Sequence, residues 1–188
     1  MRKIVFVTGN KWKAKETEEI LNTKLQISEI ELPEIQETDL EKVALHKLTQ
    51  AFKILRKPVI IDDVSFEVEA WNGFPGPLIK WLLKAGDGPS LLLKMLEKEK
   101  NRRAYARLAI GYHNSKKAYL FLSKVKGSIS HEIRGDNGFG WDRVFIPDGY
   151  KETFAEMDPK LKNSISHRAI ALKKFSNFLN KEYRRLRK

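Results

Sequence analysis

Two carboxylates stand together behind an apolar run: Val59-Ile60-Ile61 is followed at once by Asp62 and Asp63. Neighbouring carboxylates at the end of a buried strand repel each other unless a proton or a cation intervenes. Hard oxygens in that position suit Mg²⁺, which takes few protein carboxylates and keeps waters for a phosphate ligand. The competing reading is a strand-end Asp that caps the next turn. Glu34 follows Pro33 in a loop; it is either merely solvated or a second metal ligand facing Asp63. Lys47 falls inside an otherwise apolar helical stripe, so its stem either snorkels past the core edge or its ammonium reaches an anion.

Three further clusters carry the same kind of double reading. Thr8-Gly9-Asn10 closes the first apolar run and leads into Lys11, Lys13 and Lys15 at alternate positions. This is an ordinary strand-to-helix turn with a solvated face, or a seat for a strong anion, with Gly9 allowing close approach. In "NGFGWD", Phe139, Gly140, Trp141 and Asp142 form either a stacking platform with a carboxylate to accept from ring N–H groups, or a turn whose aromatics fold back into the core. "KNSISHR" sets Lys162, His167 and Arg168 at the mouth of the last helix, where backbone N–H groups and an Arg fork attract anions. Alternatively Ser164 or Ser166 is simply the cap. His46, His113 and His131 show no metal spacing, and neither a Walker loop nor a nucleophile elbow is present.

The elements that must position these groups alternate. Ile4 to Val7 reads as a buried central strand, and Asn10 or Thr8 caps a helix from about Lys11 to Leu21. A short strand near 25–32 follows. Thr38-Asp39-Leu40-Glu41 fits a capping box for a second helix to about Leu55, with Val43, Ala44, Leu48, Ala51 and Phe52 on its stripe. "VIIDD" and "SFEVEA" read as strands, and "RAYARLAIGY" and "AYLFLSKVKG" as an antiparallel hairpin around "HNSKK". The chain ends in an amphipathic helix from Ser166. The expected class is α/β, with a mixed central sheet flanked by helices and two lobes around a cleft.

The chain has 188 residues, 41% hydrophobic and 32% charged, which suits one folded domain over 1–188. No apolar run approaches the roughly 18 residues that span a bilayer. The absence of cysteine excludes disulfides and thiolate metal sites and makes a cytoplasmic location the default. A net charge of +12 invites a nucleic-acid reading, but basic residues are interleaved with glutamates except in the tail "KEYRRLRK".

"TGNKWK", "LPEIQE", "DDVSFEVEAWNGFPGP", "GFGWD", "TFAEM" and "KNSISHR" resemble, in order and spacing, the motifs of the inosine triphosphate pyrophosphatase family, also called the Ham1 family. The resemblance implies hydrolysis of deaminated purine triphosphates (ITP, dITP, XTP) to monophosphate and pyrophosphate with Mg²⁺, by a cytoplasmic homodimer. It implies a triphosphate cradle at Thr8, Gly9, Asn10 and Lys13, and a metal held by Glu34 and Asp63. Asp63, or Asp62 beside it, is the implied proton acceptor. Lys47 and Lys162 are the implied nucleotide contacts, and Phe139, Gly140, Trp141, Asp142, His167 and Arg168 surround the base. Two departures stand out. Val64 replaces the family's usual hydroxyl residue, leaving Ser65 to supply that hydrogen bond, and Arg143 replaces the proline that follows the loop in bacterial members. The alternatives are a basic nucleic-acid-binding module and a pyrophosphatase for other modified nucleoside triphosphates.

Overall fold

A computed structural model describes residues 4–186. Strands β1 (Val5–Val7), β2 (Gln26–Ser28), β3 (Val59–Val68), β5 (Arg103–His113), β6 (Ala118–Ile129) and β7 (Phe145–Pro147) form one sheet in the order β2-β1-β3-β5-β6-β7, with the short β4 (Pro75–Gly76) paired to β3. β1 is parallel to β2 and β3, and the remaining pairings are antiparallel, so the sheet is mixed. The "VIIDD" and "SFEVEA" stretches are one strand, because hydrogen bonding to β5 is unbroken from Val59 to Val68.

Alternation along the strands builds a core on each face. Val59 and Ile61 pack with Val5, Val7 and Ala109 against α2 (Leu40–Leu55). Phe6 and Ile60 pack with Leu108 and Ile110 against Ala171, Leu172 and Phe175 of α6 (His167–Leu186), the face that also carries α1 (Lys11–Leu21). Beyond the aspartates the same long strands continue into a further core. There Phe66, Ala104 and Ala106 meet Ile79 of α3 (Ile79–Ala85), Leu92 of α4 (Ser90–Met95), Trp141, Phe145 and Phe154. A short α5 (Pro159–Ile165) precedes α6.

Asn10 caps α1, accepting from the Trp12 and Lys13 N–H groups. For α2 the cap is Asp39, one residue later than the box starting at Thr38, with its carboxylate accepting from Glu41 and Lys42. Among the described residues no helix is long and apolar enough to cross a membrane.

Candidate active site

β1 lies between β2 and β3 and runs parallel to both, so the chain leaves β1 first to one side and later to the other. A crevice opens at such a switch, outside the carboxyl ends of the strands. Thr8, Gly9 and Asn10 sit there, on the wall of a cleft of about 940 Å³ that also receives Lys13, Glu34, Lys47, Asp62, Asp63, Phe139 to Asp142, His167 and Arg168. That volume is in the range of small-ligand sites. A Cβ built on Gly9 meets no protein atom within 4 Å, as a backbone meant for close approach requires. The Asn10 side-chain oxygen is spent on the helix cap rather than presented to a ligand, and Lys11 and Lys15 are exposed while Lys13 turns inward.

The expectation that Asp62 and Asp63 press against each other does not hold, for a simple reason. Consecutive strand residues point to opposite faces. Asp62 turns toward α1 and α6, where Arg168 Nε donates to Oδ2 at 2.8 Å and Lys13 pairs with Oδ1. Burial opposes its charge, but Arg168 and Lys13 outweigh that and hold the carboxyl well below the usual aspartate range. Each oxygen faces a cation, and the lowered pKa makes Asp62 the weaker proton acceptor of the two. Asp63 turns toward α2, where Lys47 Nζ donates to Oδ1 at 2.7 Å. Its Oδ2 is buried with no protein partner, and burial pushes its carboxyl above the usual range against the pull of Lys47.

Lys47 Nζ also donates to Glu34 Oε1 at 3.3 Å, so one ammonium lies between the two carboxylates expected to share a metal. Lys80, which sequence reasoning missed, reaches Glu34 from α3 at 3.0 Å. Nothing in "PLIKWLL" marks it. Burial works against the Lys47 charge, yet Asp63 and Glu34 hold its pKa above the usual lysine value. Two carboxylates converging on one cation, with a free oxygen on Asp63, fit a hard divalent ion of the Mg²⁺ type. Among the described residues no group of three or more acidic, His or Cys side chains forms a closed metal cage.

On the other face a buried ionic chain runs Lys13–Asp62–Arg168–Glu16–Lys162–Asp142 with alternating sign. Lys162 Nζ donates to Glu16 Oε1 at 2.6 Å and Asp142 Oδ2 at 2.7 Å, and Arg168 Nη1 pairs with Glu16 Oε2. Lys162 is thus 4% exposed and lies behind the cleft wall rather than on it. Glu16 was not among the expected residues. Its one signal is its spacing, three residues after Lys13 and so on the same helix face.

The glycine loop resolves both ways. Phe139 stands at the cleft between Gly138 and Gly140, both with positive φ, and its N–H donates to Asp142 Oδ2 at 3.1 Å. Trp141 is instead a core residue, stacked on Phe66 at 4.7 Å, because Gly140 turns the chain inward. His167 is held between Trp141 and Phe154, and burial drives its pKa far down, so it is neutral. Both of its ring nitrogens and Arg168 Nη2 are buried without protein partners. Val64 lines the cleft, whereas the Ser65 hydroxyl faces Glu67 at 3.3 Å outside it and supplies no replacement. Arg143 Nε donates to the Gly135 carbonyl at 3.0 Å and ties the loop down.

The family model described as "Ham1 family" matches residues 4–178. The chain is 43% identical over 180 residues to a dITP/XTP pyrophosphatase of Saccharolobus solfataricus, covering 94% of this chain and 93% of that protein. It is 38% identical over 186 residues to an inosine triphosphate pyrophosphatase of Schizosaccharomyces pombe, covering 97% of each. Among solved structures, a HAM1 protein from Coxiella burnetii superposes with a TM-score of 0.81 at 29% identity, covering 96% of this chain and all of that one.

Proposed function

Because the chain belongs to the Ham1 family, we propose that it hydrolyses deaminated purine nucleoside triphosphates, ITP, dITP and XTP, to the monophosphate and pyrophosphate. The observation that carries this reading is the pairing, in one cleft, of a half-free buried carboxylate at Asp63 with partnerless polar groups on His167 and Arg168. The first suits water activation beside a phosphate chain; the second suits a purine edge.

Lys13 and Lys47 offset the charge of the polyphosphate, and the open backbone at Gly9 lets it lie against the carboxyl end of β1. Glu34 and Asp63 would hold Mg²⁺. When bound, the ion offsets phosphate charge and acts as a Lewis acid. Asp63 Oδ2 accepts a proton from the attacking water, since Arg168 and Lys13 hold Asp62 as the weaker base. Arg168 Nη2 and a His167 N–H donate to the 6-oxo group of inosine or xanthosine. An adenine amino group there sets donor against donor, a mismatch that leaves buried groups unpaired. A nucleic-acid module accounts for the charge of the chain but not for Asp63 and Glu34 facing its cleft.

Pyrophosphate release from ITP, XTP, dITP, ATP and GTP, with and without Mg²⁺, tests the reading. Release from the first three only, and only with Mg²⁺, is expected; equal release from ATP sinks it. The working form is a cytoplasmic homodimer, so light scattering on the same preparation should give twice the 21.8 kDa chain mass.

A further inference from the structure

Trp12 is an oddity that the chemistry above leaves unused. It stands in the first turn of α1 with 51% of its surface exposed, beside a cleft that offers it no hydrogen bond. Its backbone N–H is tied to Asn10 Oδ1 at 2.9 Å, so the ring is carried by the same turn that forms the cradle. Across the cleft rim its indole lies nearly parallel to the Phe139 ring, at 22° and 6.5 Å between centroids. That separation and tilt are those of an offset aromatic stack.

Phe139 needs such a partner. Gly138 and Gly140 on either side adopt φ of +87° and +61°, and a Cβ on Gly138 would come within 2.5 Å of Asp142 Oδ2. The glycines therefore set where the Phe139 backbone goes, but they give its ring no wall. Among the described residues Trp12 is the one aromatic ring stacked on it, and the Lys162 ammonium stands 5.7 Å from its centroid. A flat ring fixed in advance loses less freedom when a second flat ring settles on it.

We propose that Trp12 is a positioning residue for the heterocycle: it holds the Phe139 ring in the orientation that receives the base. This rests on the nucleotide reading above. It assigns Trp12 an effect on the base rather than on the phosphates, since the indole is stacked on Phe139 whereas Lys13 and Asp63 are held by Asp62 and Lys47.

The test compares Trp12→Ala and Trp12→Phe with the parent protein on two ligands, ITP as substrate and inorganic tripolyphosphate as a baseless inhibitor. Trp12→Ala is expected to raise KM for ITP about five-fold, the size of one aromatic pair, with kcat within about two-fold. The inhibition constant of tripolyphosphate should not move, and Trp12→Phe should recover most of the loss. An unchanged KM in Trp12→Ala overturns the proposal. So does a parallel shift for ITP and tripolyphosphate, which means a disturbed cradle rather than a misplaced ring. If the parent protein itself releases no pyrophosphate from ITP, the functional reading falls and takes this proposal with it; turnover with indifferent variants removes the proposal alone.

Discussion

Asp62 and Asp63 are identical side chains on neighbouring residues, yet the two faces of β3 treat them in opposite ways. On the α1–α6 face Asp62 is one link in a buried chain of six alternating charges. On the α2 face Asp63 belongs to a looser group, with Lys47 and Lys80 shared around a half-exposed Glu34 and one oxygen left over. A buried chain of alternating charges holds its members in place, and removing one leaves its neighbours with an uncompensated charge. A cluster of two lysines and two carboxylates with a spare oxygen can change partners when a polyanion arrives. The pleat of a single strand thus separates a tightly paired aspartate from one with an oxygen left over.

The comparison breaks most sharply at Asp63. Asp63→Asn should reduce pyrophosphate release by about 10³-fold, the range of a lost general base, while the melting temperature stays near that of the parent. Strong residual turnover would move the proton acceptor elsewhere. The complementary change is Glu16→Ala. It leaves Arg168 and Lys162 buried without their shared carboxylate and should cost about 3 kcal/mol or more in chemical denaturation. A cost near zero would mean the chain is ornamental. The smallest effect concerns His167, neutral in the fold because burial lowers its pKa far below the ordinary value. As pH falls below about 6.5 the unfolded chain takes up this proton and the folded one does not. Stability should therefore drop with acid by up to about 1.4 kcal/mol per pH unit from this group, and His167→Gln should flatten that slope in denaturation curves between pH 7 and pH 5.

Much of this architecture can be read from the chain because local rules sufficed. The apolar run before Thr8, the stripe from Leu40 to Leu55 and the hairpin around "HNSKK" needed only periodicity and turn chemistry, and the structure has β1, α2 and β5–β6 in those places. Picking Lys13 out of three lysines rested on resemblance, as helix spacing alone does not rank them. Where the structure goes beyond the sequence, the missing information was long-range. Glu16 looks like one more charge on a solvated helix until its partners, 146 and 152 positions later, are folded against it. The resemblance implies a nucleotide contact for Lys162, and the structure adds its pairing with Glu16 and Asp142. Trp141 resembles Phe139 as a displayed aromatic, and the positive φ of Gly140 sends it inward. The opposed directions of Asp62 and Asp63 follow from strand alternation alone, since successive residues point to opposite faces of a pleat.

β3 crosses from one core to the next without interruption, laced to β5 from end to end. Both aspartates sit midway along it, opposite Ile110 and Ala109. The two aspartates are therefore mounted on a strand paired along its whole length, while the cleft rim opposite is built from a glycine loop and the first turn of a helix. Substitutions at that rim can change the shape of the cleft mouth without loosening the mount.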